Sequence, residues 1–278
     1  MEVNSTAAEF GFPAPVRPAA TRAAALVAAG ASLAGSPAAV AAASDVVFTM
    51  VGNPGDVRAI VLDGAAGVLA GLRPGGVLVD CTSSSPSLAR EVAAAAHAAG
   101  CHAVDSPVSG GDVGARDGTL AILAGGDEAV VTWLGPLLAH LGRPTYMGPP
   151  GSGQSSKIAN QIAVAGAVVG VSEAVAFAAA AGIDESLFLA AVSKGAAGSR
   201  VMDIFGERMV RREFATGGAV KYIVKDLGMA LETEEGAKAL PGTALFRQMF
   251  SAMVANGDGD LCLQGLITVV ERLNGIRK

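Results

Sequence analysis

The longest uninterrupted helical pattern in the chain begins just past its middle and constrains the rest of the fold. Two prolines and Gly151 end the preceding segment, and Ser152 is a suitable N-cap. Residues 154–181 then contain no proline. At about 1.5 Å per residue, such a helix spans roughly 40 Å, enough to reach from one domain into another. This length fits the two domains that a chain of 278 residues predicts.

The start of this helix carries a cluster of polar side chains. Lys157 is three residues before Asn160 and four before Gln161, so the three side chains share one face. Residues 162–171 are almost wholly apolar and predict a buried helix. An amine beside two amides at the entrance of a buried helix can move a proton next to fixed hydrogen-bonding groups. A surface lysine in a solvated turn explains the same residues, so both interpretations stay open at this point.

The residues before the long helix alternate between short apolar strands and helices. The predicted strands are 45–51, 76–80, 101–105, 120–124 and 145–147, and the helices between and before them are 21–29, 56–62, 87–99 and 130–141. This alternation predicts a parallel sheet with right-handed crossovers. In such a sheet the ligand lies beyond the carboxyl ends of the strands, here at 51–52, 82–83 and 106–111. After Ala181 helices dominate, so an α/β domain is followed by an all-α domain with the long helix as its spine.

Two further segments have both a functional and an ordinary interpretation. In the glycine-rich segment 106–118, Gly110 and Gly111 leave backbone amides open to a small carboxylate, and Ser109 adds a hydroxyl donor. A plain glycine-rich turn is the alternative. The segment Lys225-Asp226-Leu227 is predicted to open a helix that ends near residue 235, with Asp226 at its N-terminus. A solvated charge pair is the alternative there.

Composition limits the partners. The net charge of −5 and a pI of about 5.2 argue against nucleic acid or an anionic membrane surface. Three widely spaced cysteines without zinc-ligand spacing indicate reduced thiols in an intracellular compartment, and no metal site is expected. The longest apolar run, 162–181, is interrupted by Ser172 and Glu173, so we expect a soluble protein. The N-terminus leaves mitochondrion and cytoplasm both open.

Four motifs follow one another in a fixed order. They are Ser-Pro-Val-Ser-Gly-Gly at 106–111, Gly-Ser-Gly-Gln-Ser-Ser-Lys-Ile-Ala-Asn at 151–160, Gly-Ala-Ala-Gly-Ser at 195–199 and Lys-Asp-Leu at 225–227. From about Gly30 to the C-terminus, the chain thereby resembles the β-hydroxyacid dehydrogenases, especially plant 3-hydroxyisobutyrate dehydrogenase-like proteins and glyoxylate/succinic semialdehyde reductases. The resemblance implies a Rossmann-like dinucleotide-binding domain over 1–148 and a helical substrate and oligomerisation domain over 149–278. It also implies NAD or NADP as cofactor, a small hydroxyacid or aldehyde as substrate, and a homodimer or homotetramer.

The same resemblance assigns roles to individual residues. Lys157 is expected to donate or accept the proton, with Asn160 orienting the substrate beside it. The expected carboxylate-binding residues are Ser109, Gly110 and Gly111, and the expected dinucleotide contacts are Val51, Gly52, Asp56, Ser83 and Lys225. In reduction the ammonium group at 157 protonates the substrate oxygen, and in oxidation the neutral amine removes that proton.

The N-terminal part departs from the family pattern. The family begins with a strand, a Gly-x-Gly-x-x-Gly turn, a helix and a second strand, which are not found here. Gly151-Ser-Gly153 is a poor substitute because Ser156 occupies the third glycine position. Arg17 lies near the place expected for an arginine that selects a 2′-phosphate. Two hypotheses follow: a hydroxyacid dehydrogenase or semialdehyde reductase with an altered or incomplete N-terminus, or an inactive relative that keeps the helical domain as an oligomerisation module.

Overall fold

The structure, a computed structural model, describes residues 3–4, 19–215, 217–232 and 239–276. Arg17 lies outside these residues. The chain divides into two compact units, one formed by 1–110 and 114–157 and the other by 111–113 and 158–278. The division falls inside the long helix, after Lys157, and the sequence-based boundary at 148 stays a prediction.

Strands and helices alternate in the chain before the long helix. The strands are β1 (Val3–Asn4), β2 (Leu33–Ala34), β3 (Val46–Thr49), β4 (Val77–Asp80), β5 (His102–Asp105), β6 (Val108–Ser109), β7 (Leu120–Gly125) and β8 (Gly142–Gly148). The helices are α1 (Ala19–Ala28), α2 (Pro37–Ala42), α3 (Pro54–Leu62), α4 (Val68–Gly71), α5 (Pro86–Ala98), α6 (Gly111–Asp117) and α7 (Glu128–Leu138). Each predicted strand and helix has a counterpart here, with ends that differ by at most three residues.

Six of these strands form one sheet in the order β3-β4-β5-β7-β6, with β8 paired to β7. The predicted parallel pairing is confirmed for β3–β4, β4–β5 and β7–β8. It is wrong for β7, which runs antiparallel to both β5 and β6. The segment 106–118 holds β6 and α6, and this short excursion reverses the chain instead of forming a full crossover. The sheet is therefore mixed.

Both faces of the sheet are covered by helices, as the continuous apolar strands predict. Side chains alternate between the faces of β4, so Leu78 packs into one apolar cluster with Leu88 and Val92 of α5. Val79 points to the opposite face and packs into a second cluster with Leu134 of α7. Leu78 and Val79 are fully buried. The core thus fixes β4 firmly, and with it the loop that follows Asp80.

The remainder of the chain is helical, as predicted. Its elements are α8 (Ser152–Ala180), α9 (Glu185–Val192), α10 (Arg200–Val210), α11 (Val220–Glu232), α12 (Pro241–Ala255), a 3-10 turn (Leu263–Leu266) and α13 (Ile267–Leu273). The Lys-Asp-Leu motif does not open a helix. It lies inside α11, because that helix already begins at Val220, and Asp226 is buried in its second turn instead of capping its start.

Within the described residues, α8 is the helix whose length and composition would suit a membrane span. Core helices of soluble proteins have the same properties. Val168 and Val175 of α8 pack with Ile223, Leu227 and other residues of the second unit in one apolar cluster. The core of this unit therefore accounts for the apolar character of the helix.

A buried ion pair joins the end of α10 to α13. Arg212 has a positive φ of 59°, and its Nη1 donates to both carboxylate oxygens of Glu271 at 2.8 and 2.7 Å. The guanidinium group also lies 5.0 Å from the ring centroid of Phe214. The Glu271 side chain is only 5% exposed. Removing the Arg212 guanidinium would therefore leave the Glu271 carboxylate buried and unpaired.

We expect Arg212→Ala to lower the free energy of unfolding by about 3 kcal/mol, because it leaves the Glu271 carboxylate, which is only 5% exposed, without its counter-charge. Urea denaturation measures this. The matched control is Asp260→Ala, which breaks the pair between Lys221 and an aspartate that is 78% exposed. That control should cost under about 1 kcal/mol. Equal losses in the two variants would contradict a special role for the buried pair.

Candidate active site

Three buried polar residues end adjacent parallel strands at the same level. Thr49 on β3, Asp80 on β4 and Asp105 on β5 are in register, and each is buried. The Oγ1 of Thr49 donates to Asp80 Oδ1 at 2.8 Å, and the backbone N–H of Thr82 donates to the same oxygen at 3.1 Å. Ligands of parallel sheets bind beyond this edge.

The loops after β3 and β4 are joined at this edge. The backbone N–H of Val51 donates to Thr82 Oγ1 at 3.0 Å, and the Thr82 side chain is buried. This bond brings the predicted dinucleotide contacts Val51 and Gly52 into the same region as Ser83. Their role in binding stays a prediction.

Asp56 lies in the first turn of α3 and is engaged locally. Its backbone N–H donates to Asn53 Oδ1 at 3.0 Å, while Asn53 Nδ2 donates to Asp56 Oδ2 at 2.7 Å. The two residues therefore form a reciprocal cap at the helix start. This cap accounts for Asp56, and a contact with a dinucleotide stays a prediction for it.

Asp105 holds the beginning of α8. Its Oδ1 accepts from the backbone N–H of Gly151 at 2.8 Å, and its Oδ2 accepts from that of Gln154 at 2.9 Å. Burial raises the pKa of Asp105 to about 6, because loss of hydration outweighs these two donors and the neighbouring Asp80 carboxylate adds to the rise.

This raised pKa has a consequence for stability. The folded protein binds the Asp105 proton more tightly than the unfolded chain, whose aspartates have an ordinary pKa of 3.8. The contribution of this group to stability is therefore full below about pH 4 and is lost as the pH rises through 6. Between about pH 4 and neutral pH, ionisation of Asp105 therefore lowers the free energy of unfolding by about 3 kcal/mol. The folded protein keeps this carboxylate in spite of that loss.

Gln154 ties the same helical turn to the loop after β4. Its Oε1 accepts from the backbone N–H of Ser84 at 2.8 Å, and its Nε2 donates to the carbonyl oxygen of Thr82 at 2.7 Å. The side chain is completely buried.

Lys157 follows one helical turn after Gln154 and is only 9% exposed. The ordinary interpretation of Lys157, a surface lysine in a solvated turn, is therefore wrong.

The predicted carboxylate cradle has backbone conformations that favour glycine. Gly110 has a φ of 143° and Gly111 a φ of 66°, both in the region that side chains disfavour. A Cβ at Gly110 would also lie 3.0 Å from Leu120 Cδ2. Ser109 ends β6 and is half-buried. These conformations suit backbone amides that approach an anion closely, while carboxylate binding itself stays a prediction.

In the second unit, polar side chains link the predicted substrate residue to a predicted cofactor residue. Asn160 Nδ2 donates to Gln161 Oε1 at 2.9 Å, and Gln161 Nε2 donates to Asp226 Oδ2 at 2.8 Å. The other oxygen of Asp226 lies 3.2 Å from the Nζ of Lys225. Asp226 is 3% exposed, so a solvated charge pair is the wrong interpretation of this segment.

Sequence reasoning missed the residues that fix the site. Sequence reasoning did not single out Asp80, Thr82, Asp105 and Gln154. An aspartate at the end of each of two consecutive apolar strands is nevertheless a usable signal.

The thiol of Cys81, which follows Asp80, is excluded as a nucleophile. Burial raises its pKa to about 12, with Asp80 adding to the rise, so the thiol stays protonated at neutral pH.

Comparison with known proteins covers nearly the whole chain. Residues 16–148 match the family described as the NAD binding domain of 6-phosphogluconate dehydrogenase. Residues 151–270 match the family described as NAD-binding of NADP-dependent 3-hydroxyisobutyrate dehydrogenase.

Individual relatives agree with these families. The probable 3-hydroxyisobutyrate dehydrogenase-like 3, mitochondrial, of Arabidopsis thaliana is 56% identical over 89% of this chain and 76% of its own length. The 2-hydroxy-3-oxopropionate reductase of Escherichia coli is 40% identical over 84% of this chain and 80% of its own. The crystal structure of a 3-hydroxyisobutyrate dehydrogenase from Salmonella typhimurium has a TM-score of 0.81 and 30% identity, covering 92% of this chain and 90% of that one.

The mitochondrial name of the Arabidopsis relative fits the predicted intracellular location. The match at 56% identity over most of both chains confirms the family inferred from the four motifs. The α/β unit followed by a helical unit is the fold of the matching solved dehydrogenase. The chain belongs to the β-hydroxyacid dehydrogenase family and is an NAD(P)-dependent oxidoreductase of the hydroxyacid dehydrogenase class.

Proposed function

We propose that this protein interconverts a small β-hydroxyacid of the 3-hydroxyisobutyrate kind and its semialdehyde, with Lys157 as the proton donor or acceptor. The observation that carries the role of Lys157 is its burial, one turn after a helix start that is bonded to the strand ends. The names of the relatives support the substrate class, since they specify 3-hydroxyisobutyrate and 2-hydroxy-3-oxopropionate. Both are short acids with a hydroxyl or carbonyl group near the carboxylate.

A nicotinamide dinucleotide, when bound, supplies the hydride acceptor or donor. The residues we assign to it are Val51, Gly52, Asp56, Ser83 and Lys225. The bond between Val51 and Thr82 supports this assignment for the first unit, because it gathers two loops at the carboxyl edge of parallel strands. In the described part of the chain no strand is followed by a Gly-x-Gly-x-x-Gly turn. The cofactor would therefore be held by residues that follow β3 and β4, together with Lys225 of α11.

The chain's own residues then handle the substrate. Ser109 and the backbone N–H groups of Gly110 and Gly111 would hold its carboxylate, and the amide of Asn160 would orient its reacting oxygen. In the reductive direction the Lys157 ammonium gives a proton to that oxygen as the carbonyl becomes a hydroxyl. In the oxidative direction the neutral amine takes the proton back. Because Lys157 is buried, bulk water competes poorly for this transfer.

Substitution of Lys157 by alanine should lower kcat at least a hundredfold, because general acid–base catalysis by a placed group contributes about 10²–10⁴. Affinity for NADH and NADPH should change by less than about twofold, since the amine acts on the substrate oxygen. Titration by calorimetry and steady-state assays with 3-hydroxyisobutyrate, succinic semialdehyde and glyoxylate measure both quantities. Lys221→Ala, which removes a lysine paired with an exposed aspartate, is the control and should keep full activity.

Two outcomes would contradict this assignment. Equal loss of turnover and cofactor affinity in Lys157→Ala would remove the proton-transfer role. Millimolar or absent NAD(P)H binding by the folded wild-type protein would favour the second hypothesis, an inactive relative that keeps the helical unit for assembly.

For the quaternary structure we propose a homodimer or homotetramer that uses the exposed apolar surface of α8 and α9. Phe177 is 74% exposed and Leu187 is 67% exposed. Phe177 also lines a groove of about 440 Å³ with Ile183 and Phe188. Apolar surface of this kind on a soluble domain is typical of contact between subunits.

We expect Phe177→Glu to shift the protein toward the monomer, because it places a charge in the apolar contact. Light scattering coupled to size-exclusion chromatography measures the mass. Leu273→Glu is the matched control, since Leu273 is 75% exposed on α13, away from the groove residues in sequence. It should leave the mass unchanged. A monomeric wild-type protein would contradict the proposal.

For the compartment we favour the mitochondrion over the cytoplasm, because three Arabidopsis relatives at 50–56% identity carry a mitochondrial name. Cell fractionation with the natural full-length protein distinguishes the two. Recovery in the cytosolic fraction alone would contradict the preference.

A further inference from the structure

The start of α8 rests directly on the strand ends. A Cβ at Gly153 would lie 2.3 Å from the carbonyl oxygen of Asp105 and 2.4 Å from that of Leu123. A Cβ at Gly125 would lie 2.6 Å from the backbone nitrogen of Gly153. Only glycine permits this approach at either position. The helix start and the strands therefore meet backbone to backbone, with no side chain between them.

Two buried side chains hold it. Asp105 uses both carboxylate oxygens on the backbone N–H groups of Gly151 and Gln154. Gln154 uses both ends of its amide on the loop after β4, at Thr82 and Ser84. Ser83 lies between those two loop residues. One helical turn is thus bonded to the end of β5 and to the loop that carries a predicted dinucleotide contact.

Lys157 follows Gln154 by three residues on the same helix, so the two side chains lie on the same face about one turn apart. A change at the first turn is therefore transmitted to the amine without any intervening flexible segment. Displacement of a reacting group by about 1 Å can cost about a hundredfold in rate. By fixing the position of the Lys157 amine, the two buried side chains can affect the reaction rate without touching the substrate.

We infer that Asp105 and Gln154 are positioning residues, which fix the amine of Lys157 and couple it to the loop that carries Ser83. This inference rests on the proposed function of Lys157. The carboxylate is suited to the task because it offers a separate acceptor oxygen to each of two backbone N–H donors, whereas the amide of asparagine has one acceptor oxygen. The amide of Gln154 is suited because it meets a donor and an acceptor at once.

The test uses a graded pair of variants. Asp105→Asn keeps one oxygen acceptor and Asp105→Ala keeps none, so kcat should fall about tenfold and about a hundredfold, respectively, with cofactor affinity changed by less than about twofold. The second readout needs no cofactor. The rate at which acetic anhydride modifies Lys157, followed by mass spectrometry, should rise several-fold as the buried amine loses its fixed place.

Asp127→Ala is the matched control. Asp127 caps α7 by accepting from the backbone N–H groups of Ala129 and Val130, at 2.9 and 3.2 Å. Its loss also frees two helix-start donors, so a general effect of destabilisation would appear there too. We expect Asp127→Ala to leave kcat and the modification of Lys157 unchanged. Where Asp105→Ala does not fold, Gln154→Met, which keeps the side-chain length and loses both hydrogen bonds, should raise the modification rate of Lys157.

Unchanged modification of Lys157 and unchanged kcat in folded Asp105→Asn and Gln154→Met would overturn the inference. The same changes in Asp127→Ala would overturn it as well. Failure of the proposed function looks different: Lys157→Ala would then retain turnover, while the modification rate still reports whether Asp105 fixes the amine.

Discussion

The bond between the Asp105 carboxylate and the first turn of α8 is the interaction on which the site residues of the first unit depend. The partially positive start of a helix attracts an anion, and two backbone N–H donors meet the two oxygens. Burial nevertheless leaves the pKa of Asp105 above its ordinary value, so the charge remains a net cost at neutral pH. A serine cap would avoid the buried charge, but it has one acceptor oxygen where the carboxylate has two. The structure retains the more costly group at the turn before Lys157.

This interaction also explains a motif that sequence reasoning did not account for. Gly151-Ser-Gly153-Gln154 has the appearance of a degraded phosphate-binding turn, yet Gly151, Gly153 and Gln154 each have a structural reason. Gly151 has a φ of 93° and presents its N–H to Asp105. Gly153 allows the helix backbone to touch the strand ends, and Gln154 reaches the loop after β4. The glycines therefore serve close contact between helix and sheet, whereas a dinucleotide-binding turn uses them for contact with a pyrophosphate.

Prediction from the sequence succeeds for features that depend on neighbouring residues and fails for features that depend on contacts between distant ones. Alternating apolar runs, and breakers such as the two prolines and Gly151 before α8, identified the strands and helices, because these signals act within a few residues. Strand direction was missed for β7, since the apolar pattern of a strand is the same in both directions. The start of α11 was missed because its first backbone N–H groups donate to the distant carbonyl oxygens of Leu261 and Gly259, which the local sequence does not reveal. The bonds of Asp105 and Gln154 join residues 46 to 72 positions apart, where spacing carries no information.

Some site residues can be recognised from their own chemistry, and others only from the residues they contact. Lys157 was recognised because an amine at a helix start has an evident chemistry, and the family motif added to it. Gln161 was recognised only as an amide on the same face, and Gln154 not at all, because the partners of these amides, Asp226 for one and Thr82 and Ser84 for the other, are distant in sequence. Both are amides, and an amide satisfies a buried donor and a buried acceptor without adding charge. Neutral amides at these two positions therefore join α8 to the loop after β4 and to α11 without adding a charge to the helix that carries Lys157.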